Sequence, residues 1–298
     1  MSGPALSIVI PTYLRERVLW DSVRALRPQL RSGDEVLVVD QNRPPLEIPG
    51  DLAGDRLKRI GLERPSLTRA RNLGLERAAS PLVVFLDDDI VPDPALLDNL
   101  RRAAAAHPGC ILTGMIDQHD KPTDVPSPGR IDLSTGEIRT NFSRPVTGEV
   151  PFFPGGLALI PKACLPARPW FCPAFRGAAQ GEEIDFSLRA ARRGVRILAD
   201  PAIRIFHLKA QEGGCRAPDF RRRFFLDHVY NQGLFYGRHG RHAGMPRFLG
   251  RIRGFVEYHT RAGGPGGRSW PMVGRAASAL AQGFLTGLAY RVRDLAQS

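Results

Sequence analysis

The chain has 298 residues, 43% of them hydrophobic and 24% charged, which is enough apolar material for a full core and excludes a disordered or fibrous protein. The net charge of +12 is concentrated at one end: Arg216 to Ser298 holds 14 Arg and no Lys against 4 acids, a local +10 that leaves +2 for the rest. A basic segment suits nucleic acid, anionic lipid or an acidic polymer, and charge alone does not choose among them.

Strand and helix patterns alternate through the first hundred residues, the signature of a doubly wound α/β sheet. Ala5 to Ile10 reads as a strand stopped by Pro11, and Arg15 to Leu30 carries apolar residues at helical spacing. Glu35 to Val39 is a second strand ending in Asp40, and Arg56 to Ile60 a third. Ser66 caps a helix running to Ala79, and Pro81 to Leu86 is a buried strand. A helix over Leu96 to Ala106 and a strand over Cys110 to Met115 follow. Between Asp117 and Glu149 prolines and glycines interrupt any long element, leaving a loop with one hairpin near Ser134 to Glu137. Order returns at Val150 to Ile160, then in a helix from Glu182 to Arg193, with closing strands at Val195 to Leu198 and Ile203 to Phe206. Beyond Arg216 the chain turns helical, basic and aromatic, and Gly263, Gly264, Gly266 and Gly267 separate two helical stretches.

The four cysteines, Cys110, Cys164, Cys172 and Cys215, form no C-x-x-C pair, so neither a structural zinc site nor a disulfide framework is indicated, and reduced thiols in a cytosolic protein fit best. Met1 to Pro4 lacks the basic start and apolar stretch of a secretory signal, so no export is expected.

Asp87, Asp88 and Asp89 emerge directly from the strand Pro81 to Leu86, at the edge where open α/β sheets bind ligands. Three adjacent carboxylates repel one another and lose hydration unless a cation or a set of donors compensates them. A helix cap explains one Asp but not three. Oxygen ligands there suit Mg²⁺ or Mn²⁺ with positions left for substrate phosphates. A second acidic cluster, Glu182, Glu183 and Asp185, opens a helix, where the macrodipole accounts for one or two acids. Glu183 is then placed to take a proton from a substrate hydroxyl.

In order and spacing these segments resemble the GT-A type glycosyltransferases of family 2, over roughly residues 6 to 215. The resemblance implies a Rossmann-like, mostly parallel sheet sandwiched by helices, with a nucleotide-binding half (1–116), an acceptor and catalytic half (150–215) and a helical, Arg-rich extension (216–298). Pro11, Thr12, Tyr13 and Arg15 match the family's nucleotide-contacting turn, Asp40 the Asp that meets the base, and Arg71 the Arg of an R-N-x-G helix near the phosphates. Asp87-Asp88-Asp89 looks like the D-x-D signature, with Asp89 as metal ligand and Asp88 or Asp87 facing the ribose. Asp87 and His207 are further metal ligands by the same resemblance. Gly155 and Gly156 resemble a glycine pair at the acceptor. Gly181 to Arg189 resembles a G-E-D-x-D-x-x-x-R segment whose base falls at Glu183, with Glu where Asp is frequent, and with Glu182 and Asp185 as the neighbouring acids. Gly213 to Arg216 reads as a loop over the donor phosphates.

The implied reaction is single displacement with inversion, from a nucleotide-sugar to a hydroxyl of a saccharide or lipid-linked acceptor of the bacterial cell envelope, with Mn²⁺ or Mg²⁺ as cofactor. The implied location is cytoplasmic, peripheral on the inner face of the membrane. The donor base, sugar and acceptor have no portable code.

Three rivals stand beside this reading, one of them a catalytically dead family member, against which the intact acids argue. A sugar nucleotidyltransferase would carry a glycine-rich loop after the first strand, where this chain has Pro11-Thr12-Tyr13-Leu14-Arg15. A module binding anionic polymer or nucleic acid explains the Arg-rich tail and leaves both acidic clusters unexplained. In the tail, 15 uncharged residues between Arg275 and Arg291 fall short of the about 20 that span a bilayer. They suit a helix lying on an anionic membrane surface, and equally one packed on the protein's own core or a second subunit, which would make an oligomer.

Overall fold

The computed structural model describes residues 4–117, 129–140, 142–210, 213–214, 220–260 and 270–296. They form two compact units. The first comprises Met1–Gly129, Thr140–Phe171 and Phe186–Gly214; the second comprises Arg130–Arg139, Cys172–Asp185 and Cys215–Ser298. The change of unit at Gly214 is where the basic segment begins, but the second unit also takes two internal pieces, one of which carries Glu182, Glu183 and Asp185.

The first unit is a mostly parallel sheet flanked by helices, as the alternating patterns predict. Its strands in chain order are β1 (Leu6–Thr12), β2 (Glu35–Asp40), β3 (Leu57–Gly61), β4 (Leu82–Leu86), β5 (Ile90–Pro92), β6 (Ile111–Asp117), then β9 (Gly148–Glu149), β10 (Leu157–Pro161) and β11 (Ile197–His207), with the hairpin strands β7 (Arg130–Asp132) and β8 (Glu137–Arg139) in the second unit. The spatial order is β3-β2-β1-β4-β10-β6-β11-β5, with β9 also on β11. Strands β3, β2, β1 and β4 run parallel, whereas β10 is antiparallel to β4 and β6. Strands β1, β2 and β4 are hydrophobic almost throughout because both faces are covered. Helices α1 (Glu16–Leu26), α2 (Leu67–Arg77) and α3 (Leu96–Ala106) connect them, and Ser66 caps α2 by accepting from the Arg69 amide.

Three expectations for the sheet change, the first being that β1 runs on through Pro11 to Thr12 rather than stopping at the proline. The closing strands are a single strand, β11, whose pairing with β6 shifts register between Ala199 and Arg204, where Pro201 interrupts the ladder. Val91 and its neighbours, which follow the acids, form β5 against β11.

The acidic turn opens α4 (Glu182–Ala191), whose Phe186 and Ala190 are buried in the core of the first unit together with Phe85, Phe153 and Phe171. Among the described residues the second unit holds three terminal helices rather than two: α5 (Phe220–His239), α6 (Met245–Thr260) and α7 (Trp270–Ala296). The break between α5 and α6 falls at Gly240 and Gly244, just before Pro246, residues that disfavour helix continuation. The separator Gly263 to Gly267 lies outside the described residues.

Helices α5 and α7 pack through four glycines. A Cβ on Gly233 or Gly237 would strike the backbone carbonyls of Leu280 or Phe284, and one on Gly283 or Gly287 those of Tyr230 or Leu234. Spaced four apart on both helices, they lie on facing stripes and let the two backbones touch. Gly283 and Gly287 are therefore the packing seam of α7, which resolves one face of that helix in favour of the protein's own core.

Candidate active site

The site stands at the topological switch point, where order reverses between β1 and β4. Thr12 ends β1 and pairs in register with Asp40, while Asp87, Asp88 and Asp89 follow β4 directly. Strand β10 pairs Leu157 with Leu86, so the turn before it faces the turn after β4. That register places Gly156 against Asp87 and Gly155 against Arg71. A Cβ on Gly156 would strike the Asp87 carboxylate, and one on Gly155 would lie 2.7 Å from Arg71 Nη2. The glycine pair is thus needed where two functional side chains cross the backbone.

The three aspartates take different partners. Asp88 turns toward β1: Thr12 Oγ1 donates to its Oδ2 at 2.8 Å and Arg15 Nη1 to its Oδ1 at 2.9 Å. Burial pushes its carboxyl up to about 6, against the pull of Arg15. Asp89 is fully buried; the Ala210 amide donates to its Oδ2 at 2.8 Å and Arg15 lies 3.3 Å from the same oxygen. Asp89 Oδ1 has no hydrogen-bond partner and faces His207 Nε2 at 3.2 Å. Asp87 is a third exposed, with His207 Nε2 at 3.5 Å and Arg71 Nη2 at 3.9 Å. Burial raises the Asp87 carboxyl, but the His207 hydrogen bond and the charges of Arg71, His207 and Arg15 outweigh it and hold it below the ordinary range.

Asp87, Asp89 and His207 each offer one ligand atom, all within 4.8 Å of one another. Burial works against a charged His207, yet the two carboxylates raise it to about 9, so a proton there supplies the positive charge that a cation between the same three groups would supply. The buried Asp89 Oδ1, which has His207 beside it but no hydrogen bond, and the mixed O/N donor set fit a divalent cation such as Mn²⁺ or Mg²⁺.

The remaining predicted residues are placed as follows. Pro11 lies within β1 opposite Val39, and the Tyr13 carbonyl accepts from the Gly214 amide at 2.7 Å. Gly213, at φ +73°, sits against Leu14 and Arg15 where a side chain would collide with the Leu14 carbonyl. Cys215 and Arg216 of that loop lie outside the described residues. Arg71 is buried between the rings of Phe85 and Phe171 and donates to the Gly155 carbonyl at 2.7 Å. Asp40 accepts from the Asn42 amide, Asn42 Nδ2, the Leu46 amide and Arg59 Nη1, which fills its four acceptor positions and folds the loop after β2.

In the second unit Glu182 and Asp185 are buried and Glu183 is half-buried. Arg189, the last residue of that motif, lies in the first unit and donates to the carbonyls of Ala167, Pro169 and Trp170.

Sequence reasoning missed Ser22. From α1 its hydroxyl donates to the Asp88 and Ile90 carbonyls and accepts from the Ile90 amide, pinning the backbone on which the aspartates sit. A serine on the buried face of an amphipathic helix is the signal that was available.

The model of the family described as Glycosyl transferase family 2 matches residues 7–165, more than half of the chain. The chain belongs to glycosyl transferase family 2. It is a glycosyltransferase. The matched residues include Asp87 and Asp89, which follow β4, whereas His207 at the end of β11 lies beyond them. Solved structures share the fold. GalNAc-T7, solved with UDP, GalNAc and Mn²⁺, matches with a TM-score of 0.55 at 16% identity, over 84% of this chain and 54% of its own. The chain thus spans about half the length of that relative. The mannosyltransferase PcManGT from Pyrobaculum calidifontis, in complex with GDP-Man and Mn²⁺, matches at 0.53 and 16% over 100% of this chain and 87% of its own. Residues 1–349 of TarS from S. aureus match at 0.50 and 14%, over 96% and 91%. No curated protein matches the sequence.

Proposed function

We propose that this family 2 glycosyltransferase moves a sugar from a nucleotide-sugar to an acceptor hydroxyl with inversion, using Glu183 as the base. The observation that carries the donor side is the Asp87–Asp89–His207 group at the switch point, whose ligand atoms lie within 4.8 Å of one another. A Mn²⁺ or Mg²⁺ ion held by these three would neutralise charge on the departing diphosphate. GalNAc-T7 and PcManGT are solved with Mn²⁺ and a nucleotide or nucleotide-sugar, which supports the same assignment here.

In the proposed reaction the acceptor oxygen attacks the anomeric carbon, the bond from that carbon to the phosphate oxygen breaks, and the nucleoside diphosphate leaves with the electron pair. Glu183 takes the acceptor proton, and no covalent enzyme intermediate forms. Arg15 binds Asp88 and stands beside Asp89, so it orients both carboxylates, and Thr12 and Tyr13 shape the turn toward the nucleotide. Asp88 is placed to meet the ribose from the Thr12 side, and Asp40 acts on the base through the loop it folds. Arg71 holds Asp87 and the Gly155 carbonyl in place, so that Gly155 and Gly156 approach the acceptor without side chains. The Gly213–Gly214 segment, bonded to Tyr13, closes the donor turn.

A saccharide or lipid-linked acceptor of the cell envelope, met at the inner face of the membrane from the cytoplasm, agrees with the basic tail. No helix of the described residues is long and apolar enough to cross a membrane. Helix α7 exposes Leu285 and Val292 on the side away from its glycine seam, with the exposed Leu295 and Arg293 near Val292, which suits an anionic lipid surface.

Glu183→Gln tests the base. It keeps size and hydrogen bonding but cannot accept the proton, so turnover falls at least about 100-fold while nucleotide binding persists. Near-normal turnover would move the role to Glu182 or Asp185.

A further inference from the structure

We propose that Arg238, with His239 and Asp294, is a positioning device for the acidic turn that opens α4, so that the C-terminal helices take part in catalysis. The inference rests on the reading of Glu183 as the base.

Asp185 is fully buried, and two partners of its carboxylate, Arg238 and His239, come from the end of α5, 53 and 54 residues further along the chain. Arg238 Nη1 donates to Oδ1 at 2.9 Å and to Oδ2 at 3.1 Å, and His239 Nε2 meets Oδ1 at 2.8 Å. Since an ionised carboxylate only accepts, His239 carries its proton on Nε2 in this contact. The other nitrogens of Arg238 go to α7, with Nε to Asp294 Oδ2 and Nη2 to Asp294 Oδ1, each at 2.7 Å. The ring of Tyr290, one turn earlier on α7, lies 4.9 Å from its Cζ. Arg238 is 2% exposed, so this is a buried cation joining two carboxylates from separate helices.

A first-turn aspartate needs none of this. The helix dipole favours it in water, and a solvent-exposed Asp185 would serve α4 equally well. Burying it imposes a desolvation cost that only a complete set of partners offsets, which buys a defined geometry. That geometry bears on Glu183. Residues two apart on an α-helix point about 200° from each other, so fixing Asp185 inward turns Glu183 to the opposite side. The half-buried Glu183 is thereby given a set direction, while the fully engaged Asp185 serves as the pin. The glycine seam of α5 and α7 supports the arrangement, because Gly237 immediately precedes Arg238 and Asp294 follows Gly287 by two turns on the same face.

The test is Arg238→Met, which keeps most of the side-chain volume and removes the charge, run beside Glu183→Gln. Turnover is read as nucleoside diphosphate released from whichever of UDP-glucose, UDP-GalNAc and GDP-mannose the wild type consumes with Mn²⁺, and kcat and donor KM are separated. The proposal expects kcat to fall about 100-fold with donor KM unchanged, and to be partly restored by millimolar guanidinium but not by sodium chloride at equal ionic strength. Arg238→Met with near-normal kcat, while Glu183→Gln is inactive, overturns the positioning role and leaves the base standing. An active Glu183→Gln removes the base reading and this proposal with it. Loss of kcat together with a collapsed thermal midpoint and no guanidinium rescue marks Arg238 as merely structural and also overturns it. Should Arg238→Met fail to fold, Asp294→Asn, at a position 22% exposed, carries the same expectation at about 10-fold.

Discussion

Asp88 and Asp89 are adjacent in the chain and do different things. Asp88 is held by Thr12 and Arg15 on the β1 side, whereas Asp89 turns one oxygen toward His207. The aspartates were legible as an acidic run at the end of an apolar strand, and the expectation that His207 meets them came from the family resemblance alone. What was not legible is which partners hold each carboxylate, which follows from the β1–β4 pairing and from Ser22 fixing the intervening backbone. Asp40 shows the converse: its place at the end of β2 was legible, but its four donors come from residues whose loop conformation carries no sequence signal.

One buried group governs a pH response at this scale. His228 stacks on Phe255 with ring centroids 4.7 Å apart, and its Nδ1 has no hydrogen-bond partner. Burial, reinforced by the charges of Arg251 and His259, lowers it to about 4, below the ordinary 6.5. Between those values the unfolded chain binds a proton that the folded one does not, so the stability His228 allows is complete above pH 6.5 and is lost as pH falls toward 4. For a partly buried ring the loss is about 2 kcal/mol. Thermal midpoints measured from pH 7 to pH 4.5 should fall more steeply for the wild type than for His228→Phe, and equal slopes would refute the assignment.

At the scale of elements, periodicity located the strands and helices of the first hundred residues because each is buried on a defined face and bounded by proline, glycine or a cap. Three features escaped it. Strand β5 is only three residues long, β11 absorbs a proline through a register shift, and the α5–α6 break depends on Gly240 and Gly244 inside a segment otherwise rich in helix formers. For α7 the sequence left two faces undecided, and the helix has both. Gly283 and Gly287 meet α5, while Leu285, 65% exposed, and Val292, 68% exposed, face outward. Removing residues 270–298 would destroy the seam and Asp294 together, so the outer face must be tested in place. Leu285→Ser combined with Val292→Ser should lower co-sedimentation with phosphatidylglycerol vesicles several-fold while leaving the melting temperature unchanged. Undiminished sedimentation would contradict membrane docking through this face.

For the whole molecule, the division into two units separates what the sequence reading kept together. Thr12, Arg15, Asp87, Asp88, Asp89 and His207, proposed for the donor side, all belong to the first unit, and the acidic turn at Glu183 belongs to the second, with the basic helices. The charge imbalance seen in the sequence therefore marks a folded helical unit rather than an unstructured tail. Part of its basic content is internal: Arg238 is spent on Asp185 and Asp294, and Arg251 on the Thr135 carbonyl and Gln232. A polymer-binding module accounts for neither the Asp87–Asp89–His207 group nor the membership of family 2.

The central claim is a metal-dependent nucleotide site at the end of β4. Calorimetric titration of the protein with UDP, GDP and dTDP, each with Mn²⁺ and with EDTA, and repeated on Asp89→Ala, tests it most directly. The account predicts that one nucleotide binds only with Mn²⁺ and that Asp89→Ala, folded as judged by its melt, does not bind it. Binding that is indifferent to EDTA and to Asp89→Ala, or no binding of any nucleotide by the wild type, would contradict it.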